Sequence, residues 1–261
     1  MKKSLLSLLS AALLCSALAA PACGTKPGQE EEENKQKEED KNIPLCKTDR
    51  KESEMVKITV NEGKTYCIDR YEAFLISGAL GNNHQNDDPT SFDGDSSTKA
   101  IVGSLAGKKP LNDVSWYQAR AACQNSGARL CTKEEWEYAC RGTALLNYPY
   151  GNEFIEEKCN DNYYYAAHKN GDNFDPWANS GTFKSCRSAL GLYDLSGNGE
   201  EWIETATEEL PDSAVLNHRF VRGGSYASNR DALKCADSTA HRDPNEHTPD
   251  RTFRCCKDFD Q

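Results

Sequence analysis

From residue 43 onward the apolar positions fall into short runs, and few of them are periodic for long. "KITV" (57–60) and "TYCIDRYEA" (65–73) flank a turn at Asn61–Gly63 and predict two short strands. Residues 80–100 are polar and rich in turn formers, which predicts an exposed loop. In "NDVSWYQARAACQNSGARL", Trp116, Ala119 and Cys123 recur at helical spacing, with Gly127 placed to end the helix. "CTKEEWEYACRG" predicts a second helix. Thr132 and Glu135 form a capping box, Cys131 and Trp136 a hydrophobic staple, and Gly142 stops it. Beyond Gly142 aromatics and glycines alternate without a sustained period. The pattern is that of an α+β domain with two early helices, little regular structure after them, and much loop.

The two ends of the chain differ from this middle. Lys2 and Lys3 precede an apolar run from Leu5 to Ala20 and then "APAC", the layout of a secretory signal, so residues 1–22 are expected to be removed. Cys23, between Ala22 and Gly24, is the expected lipidation site. The leucine usual three places before such a cysteine is Ala20 here. Several acyl chains would anchor the protein stably where one would not. Residues 24–42 contain no aromatic or aliphatic side chain and carry seven acids against four lysines, so 23–42 is expected to be a lipidated, acidic, disordered tether ahead of a domain at 43–261. The expected location is a bacterial outer-membrane or periplasmic lipoprotein, extending to the cell surface, with the lipid as its one membrane attachment. The net charge of −10 and the lack of a basic stripe argue against nucleic-acid binding.

Export changes how the cysteines are read. Of twelve, ten remain once Cys15 and Cys23 are set aside, an even number that suggests a disulfide framework. No pair has zinc-ribbon spacing, and the five histidines are scattered.

"GLYDLSGNGEEW" (191–202) sets Asp194, Ser196, Asn198 and Glu201 among three glycines. Oxygen side chains beside turning glycines suit a hard cation such as Ca²⁺. The first, third, fifth and sixth places match an EF-hand loop, but Thr205 stands where that loop needs its bidentate glutamate. An ordinary solvated turn is the competing reading.

The order of the motifs "CIDRYEA", "LNDVSWYQARAAC", "GARLCTKEEWEYACRG", "YPYGN", "GLYDLSGNGEEW", "FVRGGSYAS" and "TFRCC" resembles the formylglycine-generating enzyme (sulfatase-modifying factor) family across about residues 45–257. The resemblance implies a variant of the C-type lectin fold, with two helices on a twisted, mainly antiparallel sheet. It implies structural Ca²⁺ at Asp194, Gly197, Gly199 and Glu201, with Asn198 holding the turn. A second site is implied at Asn160, Asp161, Asp172 and Phe174, where the loop length differs from the family's. Glu200 stands where the family has an aromatic, and is expected to point away from the ion.

The resemblance also implies bridges Cys123–Cys255 and Cys140–Cys235. For Cys46, Cys67, Cys131, Cys159, Cys186 and Cys256 several connectivities remain. Sequence proximity, and for Cys256 its adjacency to Cys255, favour Cys46–Cys67, Cys131–Cys256 and Cys159–Cys186. Family enzymes oxidise a substrate cysteine with O₂ using Cu(I) held by two cysteines. Here those positions fall on Ser228 and Leu233, neither of which ligates Cu(I) as a thiolate does. His241, in the final loop region, is read as structural. The expected function is a non-catalytic, calcium-stabilised binding or structural module facing an envelope protein or glycan. The competing reading is an oxidase acting on a protein side chain, which would need a free Cys235.

Overall fold

The computed structural model describes residues 34–35, 37–60, 63–80, 99–171, 174–204, 218–237 and 240–259. The expected signal segment, Cys23, Asp172 and most of the 80–100 loop lie outside the described residues. The chain divides into a unit of residues 1–42 and one of 43–261. In the first, residues 37–41 are helical, with Lys41 paired to Glu38 at 2.8 Å on an exposed surface. No helix among the described residues is long and apolar enough to cross a membrane.

In the second unit, β1 (Met55–Thr59) and β2 (Thr65–Asp69) form an antiparallel hairpin that runs from Thr59 opposite Thr65 to Met55 opposite Asp69. β3 (Phe74–Ser77) and β4 (Ile101–Gly103) make a separate two-stranded ribbon. β5 (Arg129–Leu130) and β10 (Cys255–Asp258) complete the first sheet in the order β1-β2-β10-β5. A second sheet, ordered β8-β7-β6-β9, comprises β6 (Glu200–Trp202), β7 (Arg219–Arg222), β8 (His241–Arg242) and β9 (Arg251–Phe253). Only the β6–β9 pairing in these sheets is parallel.

The helices start where side chains can satisfy their free N–H groups. α1 (Trp116–Asn125) is capped by Ser115, whose box with Gln118 is complete. α2 (Lys133–Arg141) carries the Thr132–Glu135 box and ends at Gly142 with φ 60°. α3 (Asn162–His168) is short, has no buried residue, and is capped by Asp161.

Two apolar clusters meet around the second sheet. One gathers Val56, Ile68, Trp136, Leu192, Leu195 and Ile203, and the other Trp116, Leu130, Trp202, Val221 and Phe253. Each of the three core indoles finds an acceptor, as buried Trp requires. Trp116 donates to Ile203 O, Trp202 to Val114 O and Trp136 to Glu201.

Five bridges brace this core: Cys46–Cys67, Cys123–Cys255, Cys131–Cys256, Cys140–Cys235 and Cys159–Cys186. Adjacent Cys255 and Cys256 reach opposite ways, tying β10 to α1 and to the residue before the α2 cap. All ten cysteines among the described residues are bonded.

Candidate functional site

The loop between Gly191 and Trp202 is buried throughout, so it is not a solvated turn. Its backbone enters the left-handed region at Asp194 (φ 58°), Gly197 (φ 78°) and Asn198 (φ 61°). Asp, Asn and Gly are the residues that tolerate this best. Gly197 is required twice over, because a Cβ there would lie 2.2 Å from Asn160 O. At Gly199 a Cβ would meet the Trp177 ring at 2.5 Å.

Asn198 uses both ends of its side chain. Its Oδ1 accepts from Asn160 Nδ2 (2.8 Å) and Ala178 N (3.0 Å). Its Nδ2 donates to Glu72 Oε2 (2.5 Å) and Ala178 O (3.2 Å). Glu72 comes from the chain after β2 and is fully buried. Ser180 Oγ also donates to its Oε2, while its Oε1 has no hydrogen-bond partner. Burial, then the charges of Asp194 and Glu201, push the Glu72 carboxyl well above the usual glutamate range. Asp194 accepts from Gly181 N at 2.7 Å, and burial pushes its carboxyl up to about 7.

Glu201, expected to be a cation ligand, also meets protein donors. Its Oε2 accepts from Trp136 Nε1 and Arg254 Nε, both at 2.7 Å, and its Oε1 from Arg254 Nη2 at 2.6 Å. Arg254 also donates to the carbonyls of Asp69, Arg70 and Tyr193. A guanidinium fork thus places a positive charge directly on the Glu201 carboxylate. Glu200 is not a bystander either. It is buried, with Arg242 at 2.9 Å and Arg251 at 3.5 Å in place of an aromatic contact.

At the second expected site, the Asn160 side chain donates to Pro176 O and Asn198 Oδ1, and its own Oδ1 is buried without a partner. The Asp161 carboxylate is occupied locally, accepting from Tyr163 N, Tyr164 N and Glu157 N. Phe174 N donates to Gly171 O, and its ring packs on Tyr165.

Among the described residues no group of three or more His, Cys, Asp or Glu is arranged to hold a metal. What does fit a hard cation is oxygen chemistry: the lone Oε1 of Glu72 beside Asp194, and the lone Oδ1 of Asn160. Sequence reasoning missed Glu72 and Arg254. The available signal was a charged residue inside an otherwise buried run, "RYEAF" and "TFRCC".

The two family copper positions lie in a tight turn and in the core. Ser228 Oγ accepts from Ser225 N at 2.9 Å, and Leu233 is 1% exposed. Cys235, the nearest sulfur in sequence, is bonded to Cys140. These residues do not fit Cu(I). The chain matches the "Sulfatase-modifying factor enzyme 1-like domain" over residues 23–259. It belongs to that family.

Among sulfatase-modifying-factor relatives, the inactive C-alpha-formylglycine-generating enzyme 2 of Bos taurus is 36% identical over 47% of this chain and 40% of its own length. The formylglycine-generating enzyme of Streptomyces coelicolor is 31% identical over 58% of this chain and 53% of its own. The serine/threonine-protein kinase pkn1 of Chlamydia pneumoniae is 32% identical over 58% of this chain and 24% of its own. The chain thus spans about a quarter to a half of these curated relatives. Treponema denticola variable protein 1 shares the fold, with a TM-score of 0.53 at 20% identity, over 84% of this chain and 99% of that one.

Proposed function

We propose that this sulfatase-modifying-factor domain is a non-catalytic binding or structural module of the bacterial cell envelope. It is exported, anchored through lipid on Cys23, and presents its loops to an envelope protein or glycan. The observation that carries the reading is the pair Ser228 and buried Leu233 at the copper positions, with all ten described cysteines in bridges. Without a free thiolate, Cu(I) has no soft ligand at this place. A fold hosts many functions, so a retained scaffold does not retain the chemistry. The similarity to the inactive C-alpha-formylglycine-generating enzyme 2 of Bos taurus supports the same view.

Ca²⁺ belongs to this reading as a structural ion. Asp194 and Glu72 would hold it in one loop and Asn160 in the other. Bound there, the ion would neutralise buried carboxylates and perform no chemistry.

The test combines four measurements. Thiol titration of the unreduced mature protein should find no free cysteine, and incubation with Cu(I), O₂ and a cysteine peptide should yield no aldehyde. A fatty-acid analogue should label the wild type and not Cys23→Ser. Aldehyde formation would overturn the non-catalytic reading, and equal labelling of both proteins would overturn the anchor. Capture of an envelope component that is lost in chelator would tie the partner to the calcium loops.

A further inference from the structure

His241 is not the solitary loop histidine that the sequence suggests. It lies in β8, and its Nδ1 is 2.9 Å from Nδ1 of His218, the residue just before β7. The two rings are half-buried and meet edge to face, with centroids 5.1 Å apart. The β7–β8 register sets Phe220 opposite His241 and Arg219 opposite Arg242. Alternation along strands therefore puts His218, Phe220 and His241 on one face and the two arginines on the other. Both arginine charges are engaged elsewhere: Arg242 pairs with Glu200, and Arg219 lies over the Trp116 ring at 4.6 Å.

We propose that His218 and His241 form a binding site for a divalent d-block cation, with Cu²⁺ or Ni²⁺ favoured over Zn²⁺. The separation of the two nitrogens is the argument. Two nitrogens each about 2.05 Å from a metal stand about 2.9 Å apart at a right angle, and about 3.3 Å apart at the tetrahedral angle. The observed 2.9 Å matches the separation of neighbouring positions in a square or octahedral site, so binding asks the rings to turn and not to part. Zn²⁺ would need the pair to open.

In the metal-free pair one Nδ1–H donates to the other Nδ1. On binding, that hydrogen transfers to Nε2 of its own ring, so both Nδ1 lone pairs face the cation and no net proton is released. Imidazole suits these metals and not Ca²⁺, so this site is chemically separate from the carboxylate loops. No third His, Cys, Asp or Glu among the described residues completes a metal group here.

The test uses the untagged, metal-stripped mature chain with its disulfides intact. Cu²⁺, Ni²⁺ and Zn²⁺ are titrated by calorimetry, and the first Cu²⁺ equivalent is examined by electron paramagnetic resonance. The expected result is one Cu²⁺ bound with two-nitrogen splitting, weakened at least tenfold in both His218→Asn and His241→Asn. His84→Asn, His168→Asn and His247→Asn should leave it unchanged. Zn²⁺ should bind more weakly than Cu²⁺ and Ni²⁺. An unchanged first equivalent in either pair variant, or loss of that equivalent in one of the other three, overturns the proposal. Melting each variant in chelator identifies any that fails to fold. For such a variant the wild-type spectrum decides, and a signal without two nitrogens overturns the site.

Discussion

Asn160 and Asn198 hold each other by two hydrogen bonds, Asn198 N to Asn160 O and Asn160 Nδ2 to Asn198 Oδ1, each 2.8 Å. The pair locks together the two loops expected to bind cations, 38 residues apart in sequence. Asn198 then extends the link to Glu72.

Asn198→Ala removes four side-chain hydrogen bonds, strands the Ala178 N–H and carbonyl, and takes one partner each from Asn160 and Glu72. Each buried group left unsatisfied costs about 1–3 kcal/mol. The variant should melt clearly below the wild type in a denaturant titration, with no change in disulfide content.

Arg254 and Glu201 form a fully buried ion pair whose remaining hydrogen-bonding positions are filled by Trp136 and three carbonyls. Removing one partner of such a pair typically costs ~3–5 kcal/mol, because the other charge stays buried. Arg254→Met should therefore destabilise strongly. In a double-mutant cycle, Arg254→Met with Glu201→Gln should cost less than the sum of the single changes. Additivity would mean that the two residues act separately.

If Glu72 and Asp194 hold Ca²⁺, the ion stabilises the folded state by about 2.7 kcal/mol at a hundred times its dissociation constant. Chelation should lower the wild-type melting temperature by several degrees. Glu72→Gln removes a buried charge with one oxygen unpartnered, so in chelator it should be at least as stable as the wild type. It should also lose the calcium response. A wild type indifferent to chelator would remove Ca²⁺ from the account, and a retained response in Glu72→Gln would exclude that residue as a ligand.

The α2 capping box supplies a pH dependence. Burial works to raise the Glu135 pKa, but the bidentate contacts from Arg129 (2.7 and 2.8 Å) and the Thr132 N–H outweigh it. The net effect holds the carboxyl below its ordinary value. A group with a depressed folded pKa contributes stability that is present above its unfolded value, near 4.5, and is lost as pH falls through the folded one. Glu135→Gln should flatten the stability profile on the acid side of about pH 4.5 and lower stability at neutrality. An unchanged acid slope would show that the pair contributes nothing.

What the sequence determined by itself was local or tied to short-range spacing. The α2 capping box, the hairpin between β1 and β2 and the stops at Gly127 and Gly142 are all written within a few residues. Each follows from backbone groups that a near neighbour must satisfy. Motif order carried the family and with it the fold. The tertiary structure alone decided where the charges end. Glu201 and Arg254 are 53 residues apart, yet the guanidinium pairs with the carboxylate that the family resemblance assigns to an ion. Glu72, unremarkable in the link between β2 and β3, arrives 126 residues from Asn198 as the carboxylate with an unpartnered oxygen. His218 and His241 meet only because β7 and β8 pair. A side chain's partner in a low-dielectric interior is set by which elements pack together, and spacing along the chain does not encode that packing.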